Sequence, residues 1–161
     1  MTVTTTTDAP VDLDVDLLLV PVAEPPADSI MNRLAGTMGA PLPRAARDVS
    51  GAAGETQVVY PQDTTARRVA LVGIGAADDR DVEALRVGMA AGAKVAHEYE
   101  ADRVACLLPE EDTIATVPLV RGLVEGFVMG AYRYRRYKTD DDYAGPSSFV
   151  VRVDDERSVG P

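Results

Sequence analysis

Leu119-Val-Arg-Gly-Leu-Val-Glu-Gly-Phe-Val-Met-Gly-Ala-Tyr-Arg-Tyr-Arg-Arg-Tyr-Lys-Thr-Asp140 is the stretch on which the fold turns. Val120, Leu123, Val124, Phe127, Val128 and Ala131 recur at helical spacing and predict a broad apolar helix face. Gly122, Gly126 and Gly130 recur every four residues inside the same helix. Each costs about 1 kcal/mol relative to Ala in a helix interior. Three on one stripe predict a furrow against which a strand or a second helix presses closely. A helix built this way is a scaffold element. Thr113 or Thr116 is its candidate cap, and Pro118 falls in its first turn.

Working outward, Asp14–Val22 is a nearly continuous apolar run ending at Pro21, the pattern of a strand covered on both faces. Asp28–Gly39 reads as a helix capped by Asp28 or Ser29, with Ile30, Leu34 and Met38 on one face. Ala40–Gly54 reads as a loop or irregular edge, and Glu55–Tyr60 as a strand closed by Pro61. Arg67–Ile74 is the next strand. From Asp78 to Tyr99 the period changes to helical, with Leu85, Met89, Gly92 and Ala96 on one face. Asp102–Leu108 returns to a buried strand, and Ser148–Val153 is the last. Strands alternating with helices predict an α/β fold, a three-layer sandwich around a mixed, mainly parallel sheet.

Bulk properties exclude several classes. With 161 residues, 46% hydrophobic and 26% charged, the chain has the composition of a soluble globular domain. No apolar run reaches the length of a membrane span, so no membrane is expected. Residues 1–11 read as a disordered polar leader, 12–153 as the domain, and 154–161 as the start of a linker. One cysteine, Cys106, excludes an internal disulfide and fits a cytoplasmic location. The net charge of −10 repels phosphate backbones and argues against nucleic acid as a partner.

Four constellations invite a chemical reading. Gly73-Ile-Gly75-Ala-Ala-Asp78 follows a strand and opens a helix, where a nucleotide fingerprint would lie. The third glycine is missing, and Asp78, Asp79 and Asp81 stand where pyrophosphate would meet the helix. A tight turn is the simpler reading, with Gly73 and Gly75 left as weak ligand-turn candidates. Asp140-Asp141-Asp142 lacks the ligand spacing of a calcium loop and reads as a solvated linker. His97 and Cys106 carry no motif around them, so a helix-end histidine and an inert core thiol are expected. Tyr132–Lys138 interleaves aromatic and basic residues as a nucleic-acid platform would. A helix end docking on a neighbouring domain or subunit is more economical, because basic residues complement a helix C-terminus.

Leu123-Val-Glu-Gly126, running into Gly130-Ala-Tyr132-Arg-Tyr134-Arg-Arg-Tyr137-Lys138, resembles the signature helix of leucyl (cytosol) aminopeptidases of the M17 metallopeptidase family. Arg68-Val-Ala-Leu-Val-Gly-Ile-Gly75 is similar to that family's Leu-Val-Gly-Leu-Gly strand and turn. The resemblance spans essentially residues 12 to 153. It implies a macro-domain-like N-terminal domain preceding a larger catalytic domain that holds two divalent metals, zinc or manganese.

The catalytic domain's metal ligands lie in motifs such as Asn-Thr-Asp-Ala-Glu-Gly-Arg, and none occurs here. The resemblance therefore implies no catalytic residue, metal or cofactor in this chain. Its implied role is architectural: shaping the family's hexamer and limiting access to the active-site chamber. The implied partners are its own C-terminal catalytic domain and sibling subunits. Gly122, Glu125, Gly126, Gly130, Tyr132, Tyr134, Tyr137 and Lys138 are the structural or interdomain residues it points to. A stand-alone nucleotide or ADP-ribose binder and a DNA-binding domain are the alternatives.

Overall fold

A computed structural model describes residues 1–26, 28–38, 46, 48–62, 64–79, 81–109, 114–132 and 143–154. Strand β1 is Thr2–Thr6, β2 Leu17–Glu24, β3 Thr56–Val59, β4 Val69–Ala76, β5 Arg103–Leu107 and β6 Ser148–Arg152. Helix α1 is Asp28–Met38, α2 Val82–Glu98 and α3 Thr116–Ala131. The strands form one sheet in the order β1-β6-β5-β2-β4-β3. Every pairing is parallel except β3 with β4. The sheet is thus mixed and mainly parallel, as the alternation of elements predicts.

Three layers follow from the side-chain period of the central strand. Leu17 and Leu19 of β2 point into one core with Leu85, Met89, Leu123 and Phe127 of α2 and α3. Leu18, Val20 and Val22 point into the other, with Ile30 and Leu34 of α1. Successive residues face opposite sides of a strand, so a continuous apolar run needs cover on both. Phe127 and Phe149 stack with ring centroids 4.0 Å apart, fastening α3 onto β6. Among the described residues no helix is long and apolar enough to cross a membrane.

Several expectations are corrected. Residues 2–6, read as part of a disordered leader, form edge strand β1, with Thr2 opposite Ser148 and Thr6 opposite Arg152. The β-branched Thr and Val residues favour extended backbone, and their polar surface suits an exposed edge. Strand β2 passes through Pro21 rather than ending there, which the ladder tolerates because pairing with β5 stops at Leu19. Strand β4 runs on through Gly73 and Gly75 to Ala76, so these glycines lie within the strand and not in a turn. Ala115, not a threonine, caps α3 without a side-chain bond, and Thr116 is the first helical residue. Thr113 lies outside the described residues.

Candidate docking seam between the two outer helices

Asp81 caps the start of helix α2, its carboxylate accepting the Ala84 N–H at 2.8 Å. One of the three acidic residues near this helix start is therefore its cap. Small residues let α2 sink onto the sheet: a Cβ at Gly88 would lie 2.9 Å from the Gly73 carbonyl oxygen. At Gly92 it would lie 2.9 Å from Leu19 Cδ1.

The opposite flank of α2 receives α3. A Cβ at Gly122 would stand 2.8 Å from Val82 Cγ1, at Gly126 2.5 Å from the Arg86 carbonyl oxygen, and at Gly130 2.6 Å from Ala90 Cα. The partners step by four residues on each helix and in the same direction. Two parallel helices therefore interlock along their i±4 rows, with backbone against backbone. The glycine furrow is the part of the sequence that makes this approach sterically open.

Over the seam lies an ion-pair network. Arg86 donates from Nε and Nη2 to Glu125 Oε2 at 3.0 and 2.6 Å, and from Nη1 to Glu83 at 3.1 Å. Arg121 donates from Nε to Glu125 Oε1 at 2.6 Å. The Arg121 hydrogen bond, then that of Arg86, holds the Glu125 carboxyl below its ordinary range. Glu83, Arg86, Val87, Ala90, Glu125, Gly126 and Met129 line an open groove of about 470 Å³. Its apolar flank is bare, with Val87 44% and Met129 71% exposed. A surface offering both a fixed charge pattern and exposed apolar side chains has the make-up of an interface rather than of a reaction centre.

At the far end of the seam His97 closes α3. Its Nε2 lies 3.2 Å from the carbonyl oxygen of Ala131, which can only accept, so this nitrogen carries the proton. The His97 ring also meets Tyr143 edge-on, with centroids 5.3 Å apart. Tyr143 donates to the Ala101 carbonyl at 2.5 Å, and burial pushes its phenol up to about 12. Tyr132 turns extended at φ −67° and ψ 122° and is 75% exposed. Tyr132, read as part of the helix end, thus stands just past it: the last carbonyl of α3 is taken up by His97. Tyr134, Tyr137 and Lys138 lie outside the described residues, as does Asp140–Asp142.

Gly73 and Gly75 serve a neighbouring loop. The Gly73 N–H donates to the Glu55 carbonyl at 2.8 Å, the Gly54 N–H to the Gly73 carbonyl at 3.0 Å, and the Gly75 N–H to the Gly51 carbonyl at 2.9 Å. A Cβ on Gly73 would fall on the Ala52 carbonyl, and Gly75 has φ +79°, a conformation open to glycine. The space a phosphate would approach at Gly73 is filled by the chain's own backbone. Glu55 ties that loop, accepting from Ser50 N–H at 3.0 Å, Ser50 Oγ at 2.7 Å and Gly51 N–H at 3.0 Å. The Ser50 hydroxyl is the first cause of its lowered pKa. Sequence reasoning missed Glu55, whose signal was a Ser-Gly turn five residues ahead of a carboxylate.

Cys106 is fully buried, its thiol 3.6 Å from Met89 Sδ and donating to the Leu107 carbonyl at 3.2 Å. Neither contact involves His97. Among the described residues no group of three His, Cys, Asp or Glu side chains could hold a metal ion.

A family model described as the N-terminal domain of the cytosol aminopeptidase family matches residues 44–141. A probable cytosol aminopeptidase of Chlorobium luteolum is 38% identical over 136 residues, covering 80% of this chain and 26% of that protein. One from Roseiflexus castenholzii is 36% identical over 96 residues, 58% of this chain and 19% of its own. The chain thus spans about a fifth to a quarter of the length of these two relatives. A mutant of tomato leucine aminopeptidase matches in fold with a TM-score of 0.80 and 17% identity, over 99% of this chain and 34% of that one. A Trypanosoma brucei macrodomain matches with a TM-score of 0.66 and 15% identity, over 96% of this chain and 62% of that one. The family match covers the loop tied by Glu55, both seam helices and the segment beyond Tyr132. The chain belongs to the cytosol aminopeptidase family, as its N-terminal domain.

Proposed function

We propose that this domain is the non-catalytic, architectural part of a two-metal aminopeptidase, docking on the catalytic domain or on sibling subunits through the seam between α2 and α3. The observation that carries this is the pairing of a rigid, glycine-locked backbone with a charged and apolar outer face. Val82, Arg86 and Ala90 hold Gly122, Gly126 and Gly130 in fixed register, so the groove over them keeps its shape. Glu125 is held by two arginines, and Val87 and Met129 stand beside it with their apolar surface exposed. Pre-ordered side chains lose little freedom on docking, which favours an interface built here.

The described residues offer no metal ligand cluster, so this reading places both metals of the parent enzyme outside them. The parent's chemistry, release of N-terminal residues from peptides with metal-activated water, then belongs to the portion beyond this domain. Two measurements test the reading. The 161-residue chain with added manganese or zinc is expected to leave leucyl-p-nitroanilide intact, while the parent enzyme cleaves it. Met129→Asp in the parent is expected to reduce its assembled mass in light scattering. Turnover that copurifies with the 161-residue chain and responds to its mutation overturns the first half. An unchanged assembled mass together with unchanged interdomain proteolysis overturns the second.

A further inference from the structure

The arginines are not treated alike in this acidic chain. Arg67, Arg86, Arg103, Arg121 and Arg152 each ion-pair with a carboxylate. Arg68 pairs with none among the described residues, although the sequence holds 26 acidic side chains. Its guanidinium lies instead over the Tyr99 ring, 5.0 Å from the centroid, a cation–π distance. Its Nε is buried without a partner.

Tyr60 completes the corner. It follows β3, the last strand at its edge of the sheet, and is 60% exposed. The Tyr60 charge, followed by desolvation, raises the Tyr99 pKa. An arginine stacked on one tyrosine, with an exposed second tyrosine at the same sheet edge, has the residue types that dominate binding energy at interfaces. The aromatic stack fixes the plane of the guanidinium, and a planar fork matches a carboxylate in geometry.

We propose that Arg68, backed by Tyr99, is a docking point for an acidic side chain on the remainder of the parent enzyme. This rests on the family reading above, under which the chain spans 19% and 26% of the length of its two relatives, so that most of the parent lies outside it. The corner is a second contact, distinct from the seam residues. Charge complementarity selects the partner: the unpaired group is a cation, so the facing group is an anion.

The test labels arginines with phenylglyoxal and reads each site by mass spectrometry, in the 161-residue chain and in the full parent enzyme. Rates are normalised to the denatured proteins. Arg68 is expected to react at least about tenfold more slowly in the parent, since a buried, paired guanidinium is shielded. Arg68→Gln in the parent, with its fold checked by circular dichroism, is expected to speed amide exchange across Thr56–Tyr60 by about tenfold, and Arg68→Lys by less. Equal reactivity of Arg68 in chain and parent overturns the proposal, as does exchange unchanged by Arg68→Gln. If the parent cleaves leucyl-p-nitroanilide while either of these results holds, the docking point alone has failed. If the parent cleaves no peptide substrate, the family-level function fails by itself.

Discussion

The Arg86 carbonyl oxygen stands 2.5 Å from where a Cβ of Gly126 would be, so α2 occupies the volume a side chain on α3 would need. Ordinary alanine cannot enter this seam without separating the helices. Gly126→Ala is expected to lower stability, because overpacking costs about 1–3 kcal/mol against a helix-propensity gain of about 1 kcal/mol. Gly36, in α1, has nothing within 4 Å of its Cβ position, so Gly36→Ala is expected to raise stability by up to about 1 kcal/mol. Urea unfolding of the two variants beside the parent sequence reads both signs. A Gly126→Ala variant as stable as Gly36→Ala would remove the close-approach account.

The seam explains which parts of this protein were legible beforehand. The glycine stripe declared a close approach, but two partners were open, a strand or a helix. Choosing between them required knowing that α2 carries small residues on its sheet side, Gly88 and Gly92, and so lies low enough for α3 to reach its backbone. The apolar runs of β2, β4 and β5 fixed their burial because period-two alternation is lost only when both faces are covered. Strand β1 was missed because a Thr-rich edge strand has the same composition as a polar tail, and its pairing partner lies at the other end of the chain. Arg68 and Tyr99 are 31 positions apart, and no local pattern announces a stack that only the packing of α2 onto β4 creates.

Glu125 is expected to make stability fall in acid. Its folded pKa lies below the ordinary value of 4.5, through the Arg121 hydrogen bond first and that of Arg86 second. A depressed carboxyl pKa contributes stability that is fully present above the unfolded value and is lost as pH falls through the folded one. The stability difference between the unaltered chain and Glu125→Gln is therefore expected to be constant near neutrality and to shrink below about pH 4.5. Salt is expected to reduce it as well, since the pair is partly exposed. Chemical denaturation across pH 3 to 7 checks this, on the order of one measurement per half unit. A difference that grows on acidification would refute the assignment.

Cys106 is expected to be silent toward thiol reagents while the domain is folded. Burial alone pushes its thiol well above the ordinary range, and only the thiolate attacks. Labelling with a disulfide reagent at mildly alkaline pH is expected to require unfolding and to accelerate with urea in step with the unfolded fraction. Rapid labelling in native buffer would place the thiol at the surface.

His97 joins two chain segments that are distant in sequence, taking the last carbonyl of α3 and resting its ring against Tyr143. His97→Ala leaves the Ala131 carbonyl without this donor and opens a gap beside Gly145, whose Cβ position lies 3.6 Å from the imidazole. A lost hydrogen bond of this kind costs about 1 kcal/mol, and the missing ring adds to that through lost packing. Because the losses lie at the C-terminal end of α3, they are expected to appear locally before they appear globally. Amide exchange should quicken at Tyr132, whose N–H bonds back to the Met129 carbonyl at 3.3 Å, and at Gly130 and Ala131, while Val120 and Leu123 keep their protection. Uniform quickening along α3 would mean that His97 supports the whole seam; no change at Tyr132 would mean that the Ala131 carbonyl does not depend on the imidazole.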